Sequence, residues 1–353
     1  MRRILIAGYY GFGNAGDEAV LGGMLHDLRG RDPNVEFVVV SGETSATREQ
    51  HGVQAVAWTD VAGLVTAARS SDLLVLGGGG LFHDYWDVRL EDVLAPRFCG
   101  LASYAGIPLL ARLLDRPCML YGVGVGPLNS EAGKTLTRSA FEVAQLATVR
   151  DRASIEALKA TGLANDLIDE RVFLTADPAF GLPADTADAA RLWLGNEGVP
   201  QGEPLMGVCL RPWDFGADQE HWVQQIARAL DRWLAEWGGR ALLLPFQSRL
   251  MSRYEDDVAI ARSIVGQMMG TARCTIVGSP LSPALTAAVL GQCSVVLAMR
   301  LHAVAFALRS GVPVVAMAYD PKVASLMKDA GLEQLTLQRG EWLAPSLVHR
   351  LDL

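Results

Sequence analysis

Short apolar runs recur along this chain, each closing in glycine or a polar loop, and longer amphipathic stretches separate them. That alternation predicts parallel strands joined by helices. In the first half the runs are RILIAG (3–8), VEFVVVSG (35–42), DLLVLGGGG (72–80), PCMLYGVGVGP (117–127) and LATVRD (146–151), with helices predicted over 17–30, 59–70 and 131–145. The four glycines at 77–80 read as a loop following a short strand.

After ADPAF (176–180) comes a stretch rich in Gly, Pro and small polar residues, which reads as a linker carrying a short helix. The alternation then restarts with LMGVCLRP (205–212), a Trp-rich helix around 218–237, RALLLPFQ (240–247), CTIVGS (274–279), SVVLAMR (294–300) and PVVAMAY (313–319). Trp222, Trp233 and Trp237, near helical spacing, are expected in the core. Two α/β domains are therefore predicted, over 1–184 and 185–353. Open parallel sheets bind ligands at the carboxyl ends of their strands. In the first half that criterion selects the opening loop with Asp17, the run GGGGLFHD (77–84), GVGVGP (122–127) and Arg150-Asp151-Arg152. In the second it selects Arg211, PFQ (245–247), Arg300-Leu301-His302 and Tyr319-Asp320-Pro321-Lys322.

A length of 353 residues, half of them hydrophobic and only a fifth charged, fits two well-packed domains. The formal charge of −8 argues against broad affinity for nucleic acid, so an anionic substrate must be caught by particular Arg or Lys side chains. Five cysteines, Cys99, Cys118, Cys209, Cys274 and Cys293, lack metal-ligand spacing and read as buried small hydrophobes in a reducing compartment. The apolar run behind Met1-Arg2-Arg3 is too short for a signal peptide, and no window approaches the roughly 20 apolar residues of a membrane span. A cytoplasmic location with no metal or cofactor is the expectation.

The opening GYYGFGNAGDEAVL is a poor nucleotide fingerprint: its glycines follow Tyr9 and Tyr10, and it lacks the GK[ST] ending of a P-loop. Asp17 and Glu18 at a helix start would also repel a phosphate. Asp17 reads either as the cap of that helix or as a carboxylate acting in acid/base chemistry. The glycine run, with Gly79 and Gly80, serves either packing or close approach to a ligand. His302 is either a capping or packed histidine or an acid/base, and the adjacent Arg300 suits a carboxylate or phosphate. Lys322 is either solvated or shares a pocket with His302.

Together GYYGFGNAGDEAVL, GGGGLFHD, GVGVGP, VRDRAS, DPAF, MRLHAVAFAL and YDPKV resemble the polysaccharide pyruvyl transferase family, and its CsaB-type cell-wall branch in particular, over roughly residues 4 to 325. The resemblance implies two Rossmann-like domains facing a cleft, similar to the GT-B glycosyltransferase fold. It implies transfer of pyruvate from phosphoenolpyruvate, the co-substrate, to a sugar as a cyclic ketal with release of phosphate. The implied acceptor is an N-acetylmannosamine residue of a lipid-linked secondary cell-wall polymer, whose ketal carboxylate S-layer proteins recognise. A lipid-linked acceptor would bring the enzyme to the inner face of the membrane as a peripheral protein.

By resemblance, Asp17 in GDEA, Arg150 in VRD, Arg300 and His302 in RLH, and Lys322 in YDPK match the family's functional positions, and Arg211 lies in a suitable place. His302 is then the principal acid/base and Asp17 the base that deprotonates or orients the acceptor. Arg150, Arg300 and Lys322 hold the carboxylate and phosphate. Asp17 and the glycine loops belong to the acceptor side in the first domain, and Arg300, His302 and Lys322 to the phosphoenolpyruvate side in the second. His83, Tyr85 and Trp86 stand where many relatives carry a Gln-Asp pair, which leaves the acceptor sugar open. The competing readings are a glycosyltransferase of the same fold using a nucleotide sugar, and a sugar- or anion-binding protein without turnover.

Overall fold

In the computed structural model, which describes residues 2–214, 218–248 and 256–351, the strands form two parallel sheets. The first contains β1 (Arg3–Ala7), β2 (Glu36–Ser41), β3 (Gln54–Ala57), β4 (Leu73–Phe82), β5 (Cys118–Val125), β6 (Leu146–Val149) and β7 (Val172–Leu174). The second contains β8 (Leu205–Cys209), β9 (Arg240–Leu243), β10 (Cys274–Ile276), β11 (Val295–Ala298), β12 (Val314–Ala318) and β13 (Thr336–Gln338). Their spatial orders are β3-β2-β1-β4-β5-β6-β7 and β10-β9-β8-β11-β12-β13. Parallel sheets carry helices on both faces, so their central strands read as continuous apolar runs. Accordingly Leu5, Ile6, Val39, Leu74 and Leu76 are fully buried in the first sheet, and Val296, Leu297, Ala316 and Met317 in the second.

The chain divides into two compact units. The first runs up to Phe12 and continues over Asp17–Leu182, and the second comprises Gly13–Gly16 and the chain from Pro183 onward. In each sheet the strand order reverses once, between β1 and β4 and between β8 and β11. Loops leaving the carboxyl ends of such a pair run to opposite faces of the sheet, which makes that point the usual ligand position in open α/β sheets. The Gly8–Asn14 loop and the end of the glycine run lie at the first reversal, and Arg211 and Arg300 lie at the second.

Several sequence expectations change. The glycine run is the second half of β4 rather than a loop: Gly77 pairs with Tyr121, Gly79 with Val123 and Gly80 with Gly124. The edge strands β3, β7 and β13 are missing from the apolar pattern because an edge strand is short and partly solvated. The helix Leu101–Leu113 lacks a helical period because it is buried on nearly every side. Trp222 and Trp233 are core residues, whereas Trp237, at the end of the helix Gln219–Trp237, is 52% exposed. Cys118, Cys209 and Cys293 are buried, and burial pushes the thiols of Cys118 and Cys293 up to about 12.

Candidate functional site

In the first unit the informative carboxylate is Asp17, half-buried in the first turn of the helix Ala15–Arg31. Capping of that turn falls to its neighbour Asn14, whose Oδ1 accepts the Gly16 N–H at 2.9 Å. The glycine run explains how the helix lies so close to β4. A Cβ on Gly78 would stand 1.7 Å from Val20 Cγ1, and one on Gly77 would stand 2.4 Å from Met24 Cε. At Gly79, where φ is +79°, it would stand 2.8 Å from Asp17 Oδ1. Packing and site-building are thus divided along the run, with Gly77 and Gly78 against the helix and Gly79 beside the carboxylate.

Two buried phenols share this region. Burial first, then Asp17 and Glu18, push the Tyr10 hydroxyl well above its usual range, while burial, Tyr9 and Asp17 do the same to Tyr104. Tyr10 is therefore a neutral donor, and its hydroxyl donates a hydrogen bond to the Gly77 carbonyl at 2.5 Å. Glu18, unassigned from sequence, is buried and fixes the opening loop: its Oε1 accepts the Gly11 N–H at 2.7 Å, and its Oε2 lies 2.8 Å from His51 Nε2. In the 83–86 loop, Asp84 accepts the backbone N–H groups of Asn129 and Ser130, while Trp86 is 54% exposed.

Arg150 lies just beyond β6 and is buried. Its Nη1 donates to Asp177 Oδ2 at 2.8 Å, and its Nε stands 3.6 Å from Asp151 Oδ2. Asp177 also accepts the Ala179 N–H at 3.0 Å, so the Asp of DPAF orients both its own turn and the guanidinium. Asp151 caps the helix Arg152–Ala160 through the Ser154 N–H. Gly124 supplies the space for Arg150, since a Cβ there would stand 2.9 Å from Nε and Nη2. Gly124→Ala should consequently destabilise the first unit by about 1–3 kcal/mol as the guanidinium is displaced from its carboxylates. A thermal unfolding scan checks this, and an unchanged midpoint would show that the ion pair relocates without cost.

In the second unit Arg300 precedes the helix Leu301–Arg309, whose first turn carries His302; both are buried. The Arg300 guanidinium grips Asp257 bidentately, with Nε to Oδ2 at 3.0 Å and Nη2 to Oδ1, and reaches Gln247 Oε1 with Nη1 at 3.5 Å. Burial raises the Asp257 carboxyl above its usual range against the pull of Arg300. Asp257 Oδ2 further accepts the backbone N–H groups of Phe246 and Gln247, at 2.9 and 3.1 Å. His302 lies against Gly16, where a Cβ would stand 2.1 Å from the imidazole Nδ1.

Arg211, just past β8, lies with its guanidinium carbon 5.4 Å from the Trp213 ring centre and 5.2 Å from that of Tyr319. Its Nη1 is 3.4 Å from the Tyr319 hydroxyl. Lys322 opens the helix Pro321–Asp329, capped by Asp320. Its Nζ lies 5.7 Å from the Tyr319 ring centre and 3.5 Å from Asp320 Oδ2. Arg211, Arg300, His302 and Lys322 are thus brought to the carboxyl ends of β8, β11 and β12 within one unit, whereas Arg150, Asp17, Gly79 and Gly80 belong to the other. Such a set can hold a dianion through cations and move a proton through an imidazole.

Sequence reasoning named the charged members but not the residues that set them. Asp177 and Tyr319 lie inside motifs already singled out, DPAF and YDPK, and spacing alone does not tell that their side chains turn toward an arginine. Asp257 and Gln247 gave no signal beyond the PFQ loop, because their pairing with Arg300 spans 43 and 53 residues of sequence. Among the described residues, no group of three or more His, Cys, Asp or Glu could hold a metal ion, and no helix is long and apolar enough to cross a membrane.

The sequence profile of the polysaccharide pyruvyl transferase family matches residues 14–321. The amylovoran biosynthesis protein AmsJ of Erwinia amylovora is 21% identical over 250 residues, covering 69% of this chain and 59% of that protein. Among solved structures, the UDP-GlcNAc 2-epimerase of Methanocaldococcus jannaschii matches with a TM-score of 0.64 at 8% identity, covering 100% of this chain and 92% of that one. The ADP-heptose LPS heptosyltransferase II of E. coli matches with a TM-score of 0.55 at 12% identity, covering 100% and 98%. At these identities the structural likeness concerns the fold, which is that of GT-B glycosyltransferases and related epimerases.

Proposed function

Because the chain belongs to the polysaccharide pyruvyl transferase family, we propose that it moves the pyruvyl group of phosphoenolpyruvate onto two hydroxyls of one sugar, closing a cyclic ketal and releasing phosphate. The acceptor in this reading is an N-acetylmannosamine residue of a lipid-linked cell-wall polymer, met by a cytoplasmic enzyme at the inner membrane face. The ketal carboxylate would then serve S-layer anchoring.

The observation that carries the reading is the group at the strand ends of the second sheet: Arg211 and Lys322 about Tyr319, with His302 two residues beyond Arg300. Phosphoenolpyruvate presents a carboxylate and a phosphate on one enol carbon, and forked guanidinium and ammonium donors match both. His302 gives a proton to the methylene carbon, which leaves the neighbouring carbon electron-poor. A sugar hydroxyl adds there and loses its proton to a base, the role that the family resemblance gives Asp17. The C–O bond to phosphate then breaks, the electron pair leaves with the phosphate, and a second hydroxyl adds and loses its proton. No cofactor enters this sequence of steps.

Two guanidiniums in this reading act at one remove. Arg150 and Arg300 are each neutralised by a buried aspartate, so their contribution to anion binding is orientation and hydrogen bonding more than net charge. Incubation with phosphoenolpyruvate and a panel of lipid-linked or aryl-linked sugars tests the reading directly. Phosphate release matched by a pyruvyl mass gain on one sugar supports it. Tight binding of a nucleotide sugar with no phosphate released from phosphoenolpyruvate would instead indicate a glycosyltransferase.

A further inference from the structure

Burial pushes the hydroxyls of Tyr10 and Tyr104 up, as it does for most enclosed phenols. Tyr319 is similarly enclosed, at 6% exposure, and nevertheless sits among cations. Arg211 approaches it from the loop after β8, with Nη1 3.4 Å from its oxygen and the guanidinium carbon 5.2 Å from its ring centre. Lys322 approaches from the following helix, with Nζ 5.7 Å from the ring centre. Trp213 packs against both, its ring 4.7 Å from that of Tyr319 at 63° and 5.4 Å from the Arg211 guanidinium carbon. The guanidinium therefore touches two aromatic rings, an arrangement that fixes its plane.

We propose that Tyr319 is a positioning residue for anion binding in this unit, its ring and hydroxyl holding Arg211 beside Lys322 so that both cations meet one phosphorylated substrate. This inference rests on the reading that the second unit receives the phosphoenolpyruvate. It adds to that reading a residue outside the charged set, and it predicts a linkage. The groups facing the phenol are Lys322, Arg211 and Arg300, with Asp320 opposing them and Asp257 neutralising Arg300. Their field, Lys322 first among its sources, overcomes burial and lowers the phenol from its usual range. A phosphate held by Arg211 and Lys322 cancels that field and drives the phenol back up. By reciprocity, losing the phenol proton weakens phosphate binding. Affinity for the anion should thus fall as pH rises through the Tyr319 titration, in addition to any loss from Lys322 itself.

The test uses the full chain and two probes, inorganic phosphate and phosphoenolpyruvate, followed by calorimetry and by tryptophan fluorescence. Tyr319→Phe, which keeps the ring against Arg211 and removes the oxygen, is expected to weaken phosphate binding about three- to tenfold at neutral pH. It should also flatten the alkaline fall to the part owed to Lys322. In the wild type, ultraviolet titration should show a tyrosinate step below the usual phenol range, moving to higher pH when phosphate saturates the site. Tyr319→Phe should lack that step. A step indifferent to phosphate, a Phe variant matching wild type in affinity and pH profile, or no phosphate binding at all would overturn the proposal. The wild-type titration needs no variant, so a poorly folded Tyr319→Phe does not shield the idea. A phosphate-linked step without pyruvyl transfer would sink the proposed reaction and leave this inference standing, and transfer with an indifferent Tyr319 would do the reverse.

Discussion

Asp257→Ala is expected to lower the stability of the second unit by about 3–5 kcal/mol, the cost of leaving a buried guanidinium without its carboxylate. The magnitude follows from how much converges on one side chain. Asp257 is 2% exposed, binds Arg300 through both oxygens and accepts the N–H groups of Phe246 and Gln247. Alanine removes every one of these acceptors at once, and buried donors without acceptors are costly. Asp257→Asn keeps one carbonyl acceptor and should fall between alanine and wild type. Replacing Asp257 and Arg300 together by methionine should recover much of the loss, because a buried ion pair exchanged for apolar side chains of similar size is often neutral. Urea unfolding of the three variants measures this. A loss under about 1 kcal/mol for Asp257→Ala would mean that Arg300 escapes to water and that the pair does not organise the loop.

His302→Ala should slow pyruvyl transfer by about 10²- to 10⁴-fold, the usual contribution of a positioned general acid or base. His302→Gln, which preserves volume and a hydrogen-bonding end but cannot serve as a general acid or base, should lose nearly as much. Its thermal midpoint separates lost chemistry from lost packing. Gly16 offers an independent approach to the same imidazole. Gly16→Ala would bring a methyl group to 2.1 Å from Nδ1, so the ring must rotate away. Crowding a buried ring in this way costs about 1–3 kcal/mol, so this variant should lose activity together with some stability. Near-normal transfer by a folded His302→Gln would remove the histidine from the chemistry and direct attention to Asp17 as the proton carrier.

The charged members of the candidate site were legible because strand-end position and residue type are local properties. GDEA, VRD, RLH and YDPK each sit where an apolar run stops, and that can be read without coordinates. Their partners were not legible. Asp177 and Tyr319 lie inside the motifs DPAF and YDPK and Asp257 outside any of them, yet only the return of the chain brings each against an arginine. Packing adds what the sequence does not show: Asn14 accepts the Gly16 N–H where the Asp17 helix begins, and the glycine run is strand whose missing side chains admit the helix above it.

What the sequence by itself determined is the architecture and the family. Hydrophobic periodicity gave the central strands, since burial on both faces writes itself into consecutive positions, and the ordered motifs gave the resemblance that the family profile bears out over residues 14–321. What only the tertiary structure decided is how each charge is used. Arg150 and Arg300 are compensated by buried carboxylates, while Arg211 lies over the Trp213 and Tyr319 rings and Lys322 over Tyr319. The reason is physical: the energy of a buried charge depends on the few atoms within some 4 Å of it, and those atoms come from distant parts of the chain.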